Sequence, residues 1–509
     1  MLTMDSIVSR GALQMPHRPA IFDNGSTYSW LDLETRVSAV ARHLADLGVG
    51  RHGRLAVASR NSFENYCLYY ATARLGATFT PLNYQLSDAE LSRVLSDLDP
   101  QWILTIPEFR NRFSDLEDSA QCGVVEFGDR AWDSELAHTQ PFRETRSRPS
   151  DVHTILYTSG TTGLPKGVMH TQEAEYMDAL CGALGYQLGP NDRYIVHAPS
   201  FHAASWDHAK LFLLSGGAIA ILPEFNPTKI IAAIPRHKIT VLFAVTAMLQ
   251  RLLDDPTFTP SALNSLTAVH YGGALGSDAV LKRFIDALGH PVELRHVYGC
   301  SEAGPHVCFN SATQNPDKPR SIGKPIPGVT MRIADPEESR DLGCDEVGEI
   351  LVGGPAIMKG YWGKPAETER AIVEGWLRTG DLGYVDQDGD FFMVDRIGDK
   401  IRTGGENVFA SEVEYVLSRH PAVAESFVLG VPDPHWDEAV IALVIPRAGA
   451  SIDSEELREF CRSHLAGFKI PKRVYAVDEF PRTGLGKVAR GTLRQRAISE
   501  DSRRQRAER

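Results

Sequence analysis

Tyr157-Thr-Ser-Gly-Thr-Thr-Gly-Leu-Pro-Lys-Gly-Val168 is the stretch from which the rest of the chain is read. His153-Thr-Ile-Leu-Tyr157 before it has the β-branched and apolar character of a short buried strand, and Gly167-Val-Met-His170 after it opens a second. Between them stand the hydroxyls of Ser159, Thr161 and Thr162, the glycines Gly160, Gly163 and Gly167, and the cation of Lys166. A loop of this kind rings a polyphosphate with N–H and O–H donors. A polar hairpin accounts for the glycines and the proline, but not for three hydroxyls and a lysine together. Nor is this a Walker A loop, because Gly167 and Val168 follow Lys166 where that loop needs a Ser or Thr for magnesium.

The 509 residues, 43% of them apolar, suffice for two to four folding units with large cores. A net charge of -12 argues against a nucleic-acid footprint, so any anionic substrate must be drawn in locally. The seven cysteines are scattered, without a CxxC pair or metal-ligand spacing. That pattern predicts neither a disulfide framework nor a zinc site, and it fits a reducing cytoplasm. The start, Met1-Leu-Thr-Met-Asp-Ser-Ile-Val-Ser-Arg10, lacks the basic and apolar regions of an export signal, and the apolar run Leu211 to Pro223 is too short to span a bilayer.

From Pro19 to about Asp99 strands and amphipathic helices alternate. Tyr28-Ser-Trp-Leu-Asp-Leu33 reads as extended, Val37 to Leu47 as helix, Arg54 to Ser59 as strand, and Asn61 to Leu75 as a helix stopped by Gly76. This is the βαβ rhythm of a parallel sheet covered by helices. Gln101 to Pro149 reads as a strand followed by polar surface. Tyr194 to His202 is a strand running into a turn, and Leu211 to Leu222 is a strand or buried helix. Leu266 to Ala274 is a strand ending in Gly272 and Gly273. Near the C-terminus, Glu412 to Leu417, Ser426 to Gly430 and Ala439 to Ile445 give a small α+β unit. The fold class expected is α/β: a large N-terminal region of helix-covered β-sheets and a small α+β C-terminal domain.

Further motifs follow the loop in order: Tyr271-Gly-Gly-Ala274, Val297-Tyr-Gly-Cys-Ser-Glu302, Trp376-Leu-Arg-Thr-Gly-Asp381, Asp395-Arg-Ile-Gly-Asp399, Thr403-Gly-Gly-Glu-Asn407 and Phe480-Pro-Arg-Thr-Gly-Leu-Gly-Lys487. With the loop, this set resembles the adenylate-forming superfamily of acyl-CoA and aryl-CoA ligases, peptide-synthetase adenylation domains and luciferases. The resemblance runs from the first domain to near the C-terminus and is nearest in pattern to acyl-CoA ligases. It implies an AMP-forming acid–thiol ligase. ATP and a carboxylic acid (aryl, alicyclic or medium to long acyl) give an acyl-adenylate and pyrophosphate, and the acyl group then passes to coenzyme A. Delivery to an amine, as in an amide synthetase, or to a carrier-protein thiol stays open. So does a non-catalytic adenylate-binding protein, against which Lys487, Glu302 and Asp381 speak.

The resemblance also assigns residues. Thr158, Ser159, Gly160, Thr161, Thr162, Gly163 and Lys166 would hold the phosphates. Tyr298 would stack on adenine, Ser301 would support the phosphate, and Glu302 would bind Mg2+, a hard cation suited to carboxylate oxygen. Asp381 would accept both ribose hydroxyls, and Arg396 would reach the ribose or phosphate. Lys487 would be the catalytic lysine of the first step. His202, Ala203, Tyr271, Gly272, Gly273 and Ala274 would line the acyl pocket, with His202 as its gate; a packed histidine at a strand end is the competing reading. His202-Ala-Ala204 stands where amino-acid-activating relatives keep an Asp for the substrate ammonium, although Asp207 lies a little further on. A mobile small domain, 398–509, would swivel near Gly398 against the large domain, 1–397, and present Gly404 and Gly405 to the thiol. Trp436 and Lys469 resemble small-domain positions of CoA-using members, and Lys469, Lys472 and Arg473 form the available basic cluster. Asp437 departs from the family, which often has Gly after this Trp, and a carboxylate there is awkward beside an anionic CoA.

Overall fold

Val152–Thr158 and Lys166–Thr171, the strands expected around the loop, pair antiparallel with Thr158 opposite Lys166. They sit near one edge of a seven-stranded sheet ordered Gly360–Tyr361, Lys166–Thr171, Val152–Thr158, Thr78–Pro81, Arg54–Ala58, Trp102–Thr105 and Gly123–Glu126. The computed structural model describes residues 2–114, 122–158, 165–272, 278–433, 435–482 and 488–507. They fall into two units, the first comprising Met1–Gly272, Ala279–Met331 and Val352–Thr379, the second Gly273–Asp278, Arg332–Leu351 and Gly380–Arg509.

A nine-stranded sheet is the second large sheet of the first unit. Its order is Lys324–Pro325, Gly304–Ser311, Glu293–Cys300, Ala268–Gly272, Val241–Phe243, Arg193–Val196, Ala218–Ile221, Pro19–Asp23 and Ser26–Ser29. The centre is parallel and both edges are antiparallel. The parallel centre follows from the helical crossovers in the sequence, since parallel neighbours need long connections.

Local signals account for the helices. Ser62 caps Phe63–Leu75 by accepting from Asn65 N, and Gly76, at φ +71°, ends it as expected. The extended reading of Tyr28–Leu33 is corrected: only Ser26–Ser29 is a strand, and Trp30–Asp46 is helical. Ser29 and Asp32 make a reciprocal capping box, and Trp30 is fully buried against Gly11, where any Cβ would collide with its ring. Leu211 to Leu222 resolves into the end of the helix Ala203–Leu214 and the strand Ala218–Ile221.

The second unit holds a sheet ordered Glu406–Phe409, Lys400–Thr403, Asp437–Pro446 and Val423–Asp433, with Arg473–Ala476 parallel to Asp437–Pro446. Its apolar runs are unbroken because both faces are covered. Val428, Val440, Ala442 and Val444 face the core of Ala410–Ser418 and Ser454–Arg462. Phe427, Leu429, Ile441 and Leu443 face a second core with Phe480 and Leu493.

The second unit includes Gly380–Ile397, and it takes in the insert Arg332–Leu351. Phe391–Arg396 pairs with the end of Trp376–Val385, placing Asp381 opposite Arg396. Ser411 N then donates to Asp395 Oδ2 at 3.3 Å, and Ser411 Oγ to Val394 O, tying this hairpin to the helix Ala410–Ser418.

Candidate active site

Ser159, Gly160, Thr161, Thr162 and Gly163 lie outside the described residues, but the two strands that deliver them are in place. Thr158 and Lys166 face each other at the hairpin ends. The Lys166 ammonium lies 2.6 Å from Glu367 Oε2 and 5.0 Å from the centre of the Tyr361 ring. That hydrogen bond holds the Glu367 carboxyl below its usual range. Gly167 is required by packing, because a Cβ there would come within 2.7 Å of Ile155 Cγ2.

Glu293–Cys300 carries Tyr298, which is buried opposite Cys308, and ends in a tight turn Ser301–Ala303. Gly304, at φ +76°, reverses the chain into Gly304–Ser311; a Cβ there would crowd Ala356 and Asp178. Two residues that sequence reasoning missed hold this turn. His170 Nε2 donates to Ser301 O at 2.6 Å, and Tyr361 Oη donates to Glu302 Oε1 at 3.2 Å. The Glu302 carbonyl accepts from Met358 N at 2.8 Å. Burial first, and the Glu302 charge second, push the Tyr361 phenol well above its usual range, so it stays a donor.

Tyr361 therefore stands with its hydroxyl on Glu302 and its ring beside Lys166. The strand that carries it has two residues, Gly360–Tyr361, too short to show in any hydrophobic period. Among the described residues no group of three His, Cys, Asp or Glu converges as a metal site. Glu302 thus offers a single carboxylate, which suits Mg2+, an ion commonly held by one or two carboxylates with substrate phosphates and water completing its shell.

On the acyl side, Tyr271 is buried and stacked on His296, with centroids 5.0 Å apart. Gly272 is buried against Val297, whose carbonyl a Cβ would strike, so close strand packing alone demands glycine here. Gly273 and Ala274 lie outside the described residues. His202 caps the helix Ala203–Leu214, its Nδ1 accepting from Ala204 N at 3.1 Å, and Ala203 and Ala204 are the buried first residues of that helix. Capping fixes the imidazole by one nitrogen. Asp207 is 5% exposed and its Oδ1 lies 2.6 Å from Lys210 Nζ, so it is a core ion-pair partner rather than the partner of a substrate ammonium.

In the second unit, Asp381 is buried and Arg396 Nε lies 2.9 Å from its Oδ1, in ion-pair geometry. The adjacent Asp395 accepts from Arg396 N, and burial raises its carboxyl above the usual range. Gly398 lies in the short turn Ile397–Asp399; an added Cβ would meet nothing within 4 Å, and its carbonyl accepts from Arg494 at 3.0 Å. Gly404 and Gly405, at φ +59° and +84°, form the turn between Lys400–Thr403 and Glu406–Phe409, both needing the left-handed region. Trp436 lies over Gly404, and its carbonyl accepts from Gly404 N at 2.8 Å.

The basic cluster does not present three free cations. Both Glu412 oxygens take Lys469 Nζ at 2.8 Å, and Arg473 lies 3.6 Å from Asp433. Lys472 sits 4.2 Å over the Trp436 ring, its ammonium lowered by burial and then by Arg458. Asp437 is exposed at φ +67°, a conformation that suits glycine better. Lys487 lies outside the described residues, in a segment whose flanks, Arg482 and Val488, bridge each other.

The strand Lys166–Thr171, on one sheet, is thus bonded through His170 to the Ser301 turn that follows Glu293–Cys300 on the other. This chain belongs to the AMP-binding enzyme family, whose model matches residues 8–362, while the AMP-binding enzyme C-terminal domain matches 412–487. It is 34% identical over 488 residues to a feruloyl-CoA synthase of an Amycolatopsis species, covering 96% of this chain and 97% of that one. Among solved structures it is similar to ATP-bound MatB from Rhodopseudomonas palustris, with 31% identity, a TM-score of 0.90, and 97% and 99% of the two chains covered. It is also similar to the amide bond synthetase McbA from Marinactinospora thermotolerans, with 29% identity, a TM-score of 0.87, and 97% and 99% covered.

Proposed function

We propose that this protein activates a carboxylic acid with ATP to an acyl-adenylate, releasing pyrophosphate, and then transfers the acyl group to coenzyme A. The observation that carries the reading is Tyr361 joining Lys166 to Glu302 beside the strands that flank the loop. A substrate carboxylate oxygen attacks the α-phosphorus, the bond from that phosphorus to pyrophosphate breaks, and charge gathers on the equatorial and leaving oxygens. Lys166, released from Glu367, and Lys487 meet that charge with the hydroxyls of the loop. Magnesium, held by Glu302, would neutralise phosphate oxygens. Asp381 takes the ribose hydroxyls, with Arg396 beside it, and Tyr298 takes the adenine.

In the second step a thiolate sulfur attacks the acyl carbon, and the bond to the AMP oxygen breaks. Gly404, Gly405 and Trp436 are the groups offered to that thiol, after a swivel near Gly398. An aryl acid is the first class to test, supported by the likeness to a feruloyl-CoA synthase. Among the described residues no helix is long and apolar enough to cross a membrane, and the cysteines are free thiols, which supports a cytoplasmic place.

A second reading keeps the adenylation and passes the acyl group to an amine. Asp437, exposed in a strained conformation beside Trp436, favours it, as does the likeness to an amide bond synthetase. Acid-dependent exchange of pyrophosphate into ATP over aryl, alicyclic and fatty acids tests the first step. Mass spectrometry of products formed with CoA and amines in competition then decides the acceptor. Exchange with an aryl acid and a thioester product are expected; amide as the main product would favour the second reading.

A further inference from the structure

The first unit buries a cluster of charges that the proposed chemistry does not use. At its centre is Lys210, 3% exposed on the helix Ala203–Leu214, with Nζ 2.6 Å from Asp207 Oδ1, 3.1 Å from Asp178 Oδ2 and 3.9 Å from Glu175 Oε2. Glu175 and Asp178, on the neighbouring helix Gln172–Gly185, each reach a strand that matters to the ATP side. Glu175 accepts from Thr154 and Tyr69, and its Oε1 lies 3.4 Å from His153 Nδ1, so it holds Val152–Thr158, the strand that ends at Thr158. Asp178 lies 3.1 Å from His306 Nδ1 and directly against Gly304, two residues past Glu302. Lys210, Glu175, Asp178 and Ser301 all line one small cavity of about 10 Å³, which puts the ion cluster and the Glu302 turn around the same point.

The cluster is extended by a chain of ring nitrogens whose protons have only one consistent order. Arg295 Nη1 approaches His270 Nε2, His270 Nδ1 approaches His208 Nε2, and His208 Nδ1 approaches His306 Nε2, each at 3.4 Å. A guanidinium only donates, so His270 Nε2 accepts and its Nδ1–H donates to His208. The same step repeats to His306, whose Nδ1–H ends on the acceptor-only Asp178. Burial holds His208 and His270 well below the usual range, which keeps both rings neutral as this order requires. The chain thus fastens Ala268–Gly272, Glu293–Cys300 and Gly304–Ser311 to the Lys210 cluster.

We propose that Lys210 is a positioning residue for the ATP half of the site: through Glu175 and Asp178 it fixes the strand entering the phosphate loop against the turn that carries Ser301 and Glu302. The inference rests on the adenylation reading. A hydrophobic replacement of Lys210 alone leaves buried carboxylates without their cation and destabilises the fold, whereas removing Asp207 with it relieves much of that penalty. The test therefore compares Lys210→Met with Asp207→Asn/Lys210→Met in pyrophosphate exchange, alongside thermal melting. A role confined to holding the fold predicts that the double variant, once its melting recovers, recovers its kinetics. The positioning role predicts a double variant that melts close to wild type yet has a KM for ATP raised about tenfold, with the KM for the acid changed less than about twofold. A wild-type KM for ATP in the double variant, or equal rises in both KM values, overturns the proposal.

Should the double variant not fold, Asp178→Asn, which keeps shape and loses charge, reads the same connection. It is expected to raise the KM for ATP about fivefold, and a wild-type value overturns the proposal. Wild-type protein that exchanges with no acid in the panel refutes the adenylation reading instead, so the two failures are told apart.

Discussion

Tyr361 donates its phenol proton to Glu302 Oε1 at 3.2 Å, and the same ring lies 5.0 Å from the Lys166 ammonium. The carboxylate assigned to magnesium and the cation assigned to phosphate are thereby indexed to one side chain. Tyr361→Phe removes the hydrogen bond and keeps the ring. A hydrogen bond to a charged group contributes about 1.5 to 3 kcal/mol, so exchange kcat/KM should fall roughly tenfold or more, with a higher magnesium requirement. Unchanged magnesium dependence in steady-state exchange would separate Tyr361 from the function of Glu302.

Lys166 must leave Glu367 to serve a phosphate. Glu367→Gln is accordingly expected to leave the KM for ATP equal to or below the wild-type value, with thermal stability changed little because a partly exposed ion pair is worth about 1 kcal/mol. Lys166→Ala should raise that KM. A KM for ATP that rises in Glu367→Gln would show that the pair itself, not the free cation, is the working form.

Gly398 separates two kinds of glycine requirement. An added Cβ meets nothing within 4 Å, so Gly398→Ala should retain both half-reactions. Gly398→Pro fixes φ and removes an N–H, and should retain pyrophosphate exchange while losing acyl transfer. Equal loss of both half-reactions in a folded Gly398→Pro protein would move the swivel elsewhere.

For the acceptor, the salt-bridged Lys469 and the Trp436-bound Lys472 differ in what they can offer. Lys469→Ala should change the apparent KM for CoA little, whereas Lys472→Ala should raise it several-fold and weaken its salt dependence, adenylation being spared in both. The reverse order would assign CoA to Lys469 after release from Glu412.

The buried cluster also sets an acid limit. Burial opposes ionisation of Glu175, yet His153 and then Lys210 outweigh it and hold its carboxyl well below the usual range; Asp178 is likewise depressed, by Lys210 and then His306. A carboxylate depressed in the folded state contributes stability above its unfolded pKa, about 4, and loses it as pH falls through the folded value. Stability should therefore decline below about pH 4, and Glu175→Gln should show a shallower decline from a lower plateau. Circular dichroism melts between pH 3 and 7 read this, and an unchanged slope in the variant would remove Glu175 from the acid transition.

Much of the fold was legible because long apolar periods and strong punctuation agree: Gly76 ends its helix, and the twofold alternation of Phe427–Val431 is the alternation of two covered faces. The motif residues were legible as types at fixed spacings. What they touch was not. Tyr361 and Glu367 lie far along the chain from Lys166, on short elements without periodicity. Asp207 was legible only as an acid near His202 and Lys210 as a residue before an apolar run, and only the packing of two helices reveals their partners. Lys469 looked like a free cation because Glu412 is distant in sequence and adjacent in space. The pairing of Asp381 with Arg396 and the Asp395–Ser411 bond are long-range too, and no local pattern announces them.

Pyrophosphate exchange into ATP by the wild-type protein and Lys487→Ala, each with and without an aryl acid, is the most direct measurement of the central claim. The account predicts acid-dependent exchange in the wild type, a loss of about a hundredfold or more in Lys487→Ala, and continued transfer by that variant from presynthesised acyl-adenylate. Wild-type protein without exchange across the full acid panel, or a Lys487→Ala protein exchanging at the wild-type rate, would contradict it.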